Sequence, residues 1–423
     1  MLKPGNMRGH SLGINWRINY IIRFVTIPVV LMLLLYNLRR FLLLFAALLA
    51  PKKRYEQKID GNSSSDVPSI LIIVSCRDEE TLIPGLCASL AALDYPQTRY
   101  QVVLIDDGSR DSTREQMESY ARARPGWFVL SIPENVGKAS ALNMALTRVS
   151  FGEIVIIFDA DHRPNPDVLE RAVTYFDHDR VAGVSGRTLA LNPLASPSAY
   201  YSTVEGNVHQ MVTMRAKDRL GLAPALMGSN CAYRRSALVR CGGFRTGALL
   251  EDSDLTLVFY REGYVVRFAE DMVSYHQVPE TVDGYIKQHT RWARGFNDVA
   301  QSHALSLARD RRLPLPQRFE LILFATGYLD RIALAGAIIL SLLSSLNRRI
   351  TQFPNKILFF ALLTPLIQII ALFIEQKVGW AMWLRFPLVP LFFLLDLYSA
   401  GRAMTDTLLN RARVWTKTER ILE

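Results

Sequence analysis

The stretch Ile154-Val155-Ile156-Ile157-Phe158-Asp159-Ala160-Asp161-His162 is an apolar run that stops at two carboxylates one residue apart. Its β-branched and aromatic residues do not alternate with polar ones, and Gly152 and Pro164 bound it. That pattern predicts a strand buried on both faces, as in a parallel sheet. The carboxyl ends of such strands are where open α/β sheets hold their ligands. The spacing of Asp159 and Asp161 lets a loosely extended turn aim both at one divalent cation, or one at the cation and one at a sugar hydroxyl. Mg²⁺ and Mn²⁺ take hard oxygen ligands, and Mg²⁺ usually leaves positions for substrate phosphates. An isolated Asp-x-Asp ahead of a proline also fits a helix N-cap or a solvated turn, so the surroundings decide.

Those surroundings alternate strand and helix in units of roughly 30 residues, the mark of βαβ crossovers. Strands are predicted at 69–75, 101–105, 127–132 and 181–186, with helices at 81–93, 111–123, 139–147 and 199–215. Three strands run into polar chemistry. The first leads to Cys76-Arg77-Asp78-Glu79-Glu80, the second to Asp106-Asp107-Gly108-Ser109, and the 154–158 strand to Asp159 and Asp161. Such a ridge of acids suits a nucleotide held through base, ribose and a metal-bridged pyrophosphate. The Gly-x-Gly-x-x-Gly turn of dinucleotide folds and the Gly-x-x-x-x-Gly-Lys-Ser/Thr phosphate loop are both absent.

Further along, Met227-Gly228-Ser229-Asn230-Cys231 puts a glycine where backbone can approach a ligand closely. Leu249-Leu250-Glu251-Asp252-Ser253-Asp254 sets acids at the start of a helix. They either complement the helix dipole or supply a general base able to take a proton from an attacking hydroxyl. The helical stretch 285–308 carries Gln288, Arg291 and Trp292 on one face. Arginine suits pyrophosphate and tryptophan offers a stacking platform for a sugar, although both also anchor interfacial helices. His162 and His276 read as structural or surface residues, each a spare metal ligand.

Apolar residues are concentrated at the two ends of this 423-residue chain. Residues 20–50 make one long tilted span, or a span followed by an interfacial piece, since about 20 apolar residues cross a bilayer. No small-residue cleavage site follows, so the segment reads as an anchor. Three downstream runs, 319–346, 357–376 and 380–398, give three more spans, and Asp330 and Arg331 within the first should face protein or a water-filled path. The net charge of +10 sits largely beside these runs, at Lys52-Lys53-Arg54, Arg309 to Arg312, and Arg411, Arg413, Lys417 and Arg420. This positive-inside pattern places the middle region and the C-terminus in the cytoplasm and makes nucleic acid a poor second partner. The basic N-terminus asks for the same side, which one span plus three cannot satisfy. Cys76, Cys87, Cys231 and Cys241 match no metal framework and read as reduced core thiols.

Together these motifs resemble the membrane-embedded family 2 glycosyltransferases, whose catalytic domain has the α/β GT-A fold, from about residue 70 to 297 and again at the C-terminus. The resemblance implies a nucleoside contact at Asp106 and Asp107, a Lys near base and phosphates at Lys138, and nucleotide and metal binding at Asp159 and Asp161. It implies the catalytic base at Asp252, within a Thr-Glu-Asp motif that has Leu250 in place of Thr, with Glu251 beside it in the substrate site. Gly228, Ser229 and Asn230 fit the loop that holds the acceptor, and Gln288, Arg291 and Trp292 fit the Gln-x-x-Arg-Trp motif of an interfacial helix. Trp415, Thr418 and Arg420 resemble the cytoplasmic Trp-x-x-Thr-x-Arg gating segment of polymerising members.

The expected organisation is a membrane anchor over 1–56, a cytoplasmic GT-A domain over 57–284, and amphipathic interfacial helices over 285–318. Transmembrane helices over 319–403 and a cytoplasmic tail over 404–423 complete it. The expected protein is a multi-pass inner or plasma membrane enzyme. Its expected activity is inverting transfer from a nucleotide sugar, most plausibly a UDP-sugar, with Mg²⁺ or Mn²⁺ as cofactor and membrane lipids around it. The acceptor is a growing glycan, or alternatively a diacylglycerol- or ceramide-like lipid that receives one sugar. A catalytically dead scaffold would have lost one of the acids, and all are present.

Overall fold

The computed structural model describes residues 9–52, 67–346 and 353–411. Its strands are β1 Ile70–Cys76, β2 Tyr100–Asp107, β3 Trp127–Ile132, β4 Ile154–Asp159, β5 Arg163–Pro164, β6 Val181–Ala190, β7 Cys231–Arg234 and β8 Val265–His276. Among the described residues they form one sheet in the order β3-β2-β1-β4-β7-β6-β8-β5. The helices are α1 Gly9–Leu49, α2 Ile83–Ala91, α3 Thr113–Arg122, α4 Lys138–Arg148, α5 Val168–Thr174, α6 Pro197–Val208, α7 Arg215–Arg219 and α8 Arg235–Arg240. They continue as α9 Glu251–Arg261, α10 Val282–Arg309, α11 Leu315–Ala325, α12 Leu329–Leu346, α13 Asn355–Glu375, α14 Trp380–Leu384 and α15 Val389–Leu408.

Alternate residues of the central strands enter different cores, because successive side chains leave opposite faces of a sheet. Ile70, Ile72, Val74, Ile154, Ile156 and Phe158 pack with Leu86, Leu90 and Met117, so α2 and α3 cover one face. Leu71, Ile73, Val155 and Ile157 pack with Leu142, Leu255 and Phe259, so α4 and α9 cover the other. This two-sided burial is why 154–158 carries no polar alternation. Parallel pairing sets Cys76 against Asp106 and Ser75 against Asp159, so the acid-bearing ends of β2 and β4 lie level at one edge.

The sheet is parallel from β3 to β4 and again between β6 and β8, but not throughout. β7 runs antiparallel to both β4 and β6, and β5 antiparallel to β8, so the doubly covered parallel sheet expected from the alternation becomes mixed. The predicted strand at 181–186 continues to Ala190 because β8 pairs along it to His276. The predicted helix at 199–215 is interrupted by a π-helical segment, His209–Met214, between α6 and α7.

Among the described residues, four helical segments are long and apolar enough to cross a membrane: Phe24–Leu49, Leu329–Leu346, Asn355–Glu375 and Trp380–Leu408. The apolar run at 319–346 is not one helix; α11 ends at Ala325 and α12 begins at Leu329, so only the second part has spanning length. Asp330 and Arg331 face protein, as expected: Arg40 Nη2 lies 2.9 Å from Asp330 and Arg331 Nη1 3.0 Å. Arg39 pairs with Glu320 at 2.8 Å, so α1 is tied by charge to α11 and α12. The four cysteines are free thiols, three of them buried. The polar linker at 61–65 and the Trp-x-x-Thr-x-Arg segment at Trp415, Thr418 and Arg420 lie outside the described residues.

Candidate active site

The acids at the sheet edge are held by neighbouring loops. Asp107 accepts hydrogen bonds from Asn135 Nδ2 at 2.7 Å and from the backbone N–H groups of Val136 and Gly137 at 2.8 and 3.0 Å. The loop ahead of α4 is therefore fastened to the end of β2, which sets Lys138 at the start of that helix. Lys138 Nζ reaches Asp159 Oδ1 at 2.7 Å, the Gly228 carbonyl at 3.0 Å and Glu251 Oε1 at 3.4 Å. One ammonium thus joins three segments that lie 21, 90 and 113 residues beyond it in the chain. Burial lowers the lysine pKa, but the surrounding carboxylates, Asp159 first, more than reverse this and hold it charged.

Asp159 receives further positioning: its N–H donates to Ser229 Oγ at 2.8 Å. Asp159, Asp161 and His162 each offer a ligand atom within 4.8 Å of the others. Two carboxylates and an imidazole suit Mn²⁺ well and Mg²⁺ through its oxygens. The fit thus rests on a donor set whose third member, His162, sequence reading kept only as a spare ligand. His162 Nδ1 shares a hydrogen bond with Ser274 at 2.9 Å, the kind of outer contact that orients a ligating imidazole.

Asp252 lies in the first turn of α9, 8% exposed. Burial, and then the charge of Glu251, push its carboxyl up to about 7, where a carboxylate works as a base near neutral pH. Asp254, two residues on, is used structurally: Arg245 Nε and His303 Nε2 lie 2.8 and 2.7 Å from its Oδ1, which clamps α9 to α10. Gly295 of α10 lets that helix seat closely, for a Cβ there would come within 2.5 Å of Leu250 Cγ. This contact brings the helix that bears Gln288, Arg291 and Trp292 over the start of α9.

Eleven of the thirteen residues expected from sequence line one cavity of about 1120 Å³, namely Asp107, Lys138, Asp159, Asp161, Gly228, Ser229, Glu251, Asp252, Gln288, Arg291 and Trp292, with His162 and His276 added. Asp106 and Asn230 do not line it. Asp106 accepts the Ser109 N–H at 3.0 Å and a hydroxyl bond from Ser131, closing the turn beneath Asp107. Asn230 has a positive φ of 49° and donates to the Arg187 and Met272 carbonyls, bracing β6 and β8. The cavity continues past the sheet to Tyr201, Glu205, Tyr328, Arg331, Leu334, Pro365 and Phe393, and so reaches between the long apolar helices.

Gly228 has φ +83°, and a Cβ there would lie 3.2 Å from Asp252 Oδ2. The left-handed backbone costs a side chain about 1–3 kcal/mol and the contact displaces the carboxylate. Gly228→Ala is expected to lower kcat tenfold or more while the chain still elutes as a folded species, a comparison that steady-state rates with size-exclusion profiles would make.

The sheet and its edge of acids define a GT-A-type nucleotide-sugar transferase fold. Residues 68–295 match the family described as glycosyltransferase-like family 2, and the chain belongs to that family. Among similar proteins are the probable glycosyltransferase YdaM of Bacillus subtilis, 29% identical over 237 residues, and the poly-β-1,6-N-acetyl-D-glucosamine synthase of Staphylococcus aureus, 27% identical over 251. The aligned parts are 54% and 59% of this chain, and 56% and 60% of each relative's own length. A solved structure of the mannosyltransferase PcManGT from Pyrobaculum calidifontis, in complex with GDP-Man and Mn²⁺, superposes with a TM-score of 0.63. It is 24% identical, and the match covers 93% of this chain and 100% of that one, a likeness of fold.

Proposed function

We propose that this chain is a divalent-cation-dependent inverting glycosyltransferase of the cytoplasmic face of a membrane, which takes a nucleotide sugar and extends a polysaccharide. The observation that carries the reading is the single cavity in which Lys138 joins Asp159 and Glu251 while Asp252 and Trp292 line the same space. Asp107 and Lys138 bind the nucleotide part of the donor, with Asp159, Asp161 and His162 as the residues that hold the cation. A bound divalent cation offsets the negative charge that develops on the departing diphosphate. Gln288, Arg291 and Trp292 position the acceptor end, and Arg291 adds a second positive group toward the diphosphate. Asp252 takes the proton of the acceptor hydroxyl as its oxygen bonds to the anomeric carbon from the face opposite the diphosphate. The carbon–phosphate-oxygen bond breaks, and the nucleoside diphosphate leaves.

Polymer extension is supported by the similarity to a poly-N-acetylglucosamine synthase and by a cavity that runs on between the spanning helices. The apolar lining of that inner end, Leu334, Ala361, Pro365 and Phe393, favours a second reading in which a lipid hydroxyl accepts a single sugar. The test is a panel of UDP-sugars and GDP-mannose, scored by nucleotide release and then by product size with labelled donor. A high-mass glycan supports extension, an organic-extractable monoglycoside supports the lipid reading, and no release with any donor contradicts both.

The raised carboxyl of Asp252 sets the pH response. A base must be deprotonated to act, so kcat/KM is expected to fall about tenfold per unit as pH drops below about 7 and to level off above it. A profile flat from pH 5 to 8 would remove Asp252 from that role.

A further inference from the structure

Where the cavity enters the membrane helices, a second set of metal-ligating side chains comes together from three distant elements. Glu205 belongs to α6, His289 to α10 and Asp396 to α15, within the segment of spanning length Trp380–Leu408. One ligand atom of each lies within 4.8 Å of the others, and all three line the cavity. His289 Nε2 is 3.4 Å from Glu205 Oε2, and its Nδ1 is 3.5 Å from Asp396 Oδ1. These separations exceed the usual N–H···O length of about 2.9–3.0 Å. The two contacts leave opposite nitrogens of the ring, so a single ion would take one nitrogen together with the two carboxylates, one ligand atom of each residue lying within 4.8 Å of the others.

His289 supplies the independent sign of a ligand. The ring is only 2% exposed, yet Nδ1 has no hydrogen-bond partner and faces the Asp396 carboxylate. A buried polar nitrogen left without a partner costs about 1–3 kcal/mol, so an enclosed imidazole between two acids is poised for something to join them. We propose that Glu205, His289 and Asp396 form a second divalent-cation site, for a transition ion such as Mn²⁺ or Zn²⁺, separate from the Asp159–Asp161–His162 group.

The charge around the cluster agrees. Among the described residues, Arg331 Nη2 lies 3.6 Å from Glu205, and Arg331 and Arg40 both pair with the neighbouring Asp330. The donor set of two oxygens and one nitrogen favours Mn²⁺ or Zn²⁺ over Mg²⁺. Tyr285 donates to Asp396 Oδ1, and Tyr201 Oη lies 3.2 Å from Oδ2, a polar shell that fixes the carboxylate. Acids at membrane depth are costly and are retained where they work. With three protein ligands the ion keeps at least one position open to the cavity, and it staples α6 of the sheet domain to α10 and α15.

The deciding protein is the full chain carrying Asp159→Asn and Asp161→Asn, which removes the donor-side group and leaves the proposed cluster intact. Stripped with chelator, dialysed against micromolar Mn²⁺ or Zn²⁺ and assayed by elemental analysis, it is expected to retain about one equivalent of metal and to melt at a higher temperature with it. Adding Glu205→Gln or His289→Gln should remove both the metal and the shift, with circular dichroism checking the fold. The donor-side variant binding no metal overturns the proposal without any change to the cluster itself. Metal that survives both added substitutions overturns it too, and would leave the three residues as a hydrogen-bonded relay.

Discussion

Asp252→Asn is expected to lower turnover by about 10³- to 10⁴-fold while the KM for the donor changes little. General-base catalysis contributes about 10²- to 10⁴-fold, and the upper range applies because the cavity offers Asp252 no close substitute. Glu251, the neighbouring acid, is engaged with Lys138, and Asp254 is clamped by Arg245 and His303. The amide keeps the shape of the carboxylate, so the nucleotide contacts at Asp107 and Lys138 stay in place. The split between kcat and KM distinguishes a lost base from a lost binding group. Equal losses in both would move Asp252 from proton transfer to binding, and unchanged turnover would discard the assignment.

Asp161→Asn is expected to raise the Mn²⁺ concentration for half-maximal rate by about 10- to 100-fold or more, since even outer contacts to a metal ligand are worth that much. Chelation of the native chain should stop nucleotide release, and added Mn²⁺ should restore it. The residue sits just past the strand, 3% exposed, beside Asp159 and His162. Replacing one of these carboxylates removes a ligand and also weakens the charge that draws the ion in. A rate indifferent to chelator, or an Asp161→Asn chain with native Mn²⁺ dependence, would exclude these side chains as the cation's holders.

The half of the site built on parallel strands was legible because burial on both faces leaves an unmistakable apolar run, and because the run ends in acids at the sheet edge. Asp107 and Asp159 stand out in this way, whereas Lys138, at the start of α4, is pointed to only by the family resemblance. Residues whose roles depend on distant pairing were not. Nothing local in 265–276 announces β8, which owes its place to β6, and nothing marks β7 as antiparallel. Asp106 and Asn230 carry the right chemistry in the right motif, yet their polar atoms are spent on a turn and on two backbone carbonyls. Composition cannot report that. The break between α11 and α12 falls in an apolar run, and Arg39 and Arg40 of α1 each pair with an acid on one side of it. The Glu205–His289–Asp396 cluster draws its members from positions up to 191 residues apart, and only the fold reveals it.

The central claim is that acids far apart in the chain surround one cation-bridged nucleotide at the mouth of a cavity leading to the membrane helices. An experimental structure of the full chain with a nucleoside diphosphate and Mn²⁺ tests it most directly. The account predicts density for the nucleotide beside Asp107 and Lys138, the ion against Asp159 and Asp161, and the diphosphate end turned toward Asp252 and Arg291. Nucleotide bound on another surface, or an ion bound without either aspartate, would contradict it.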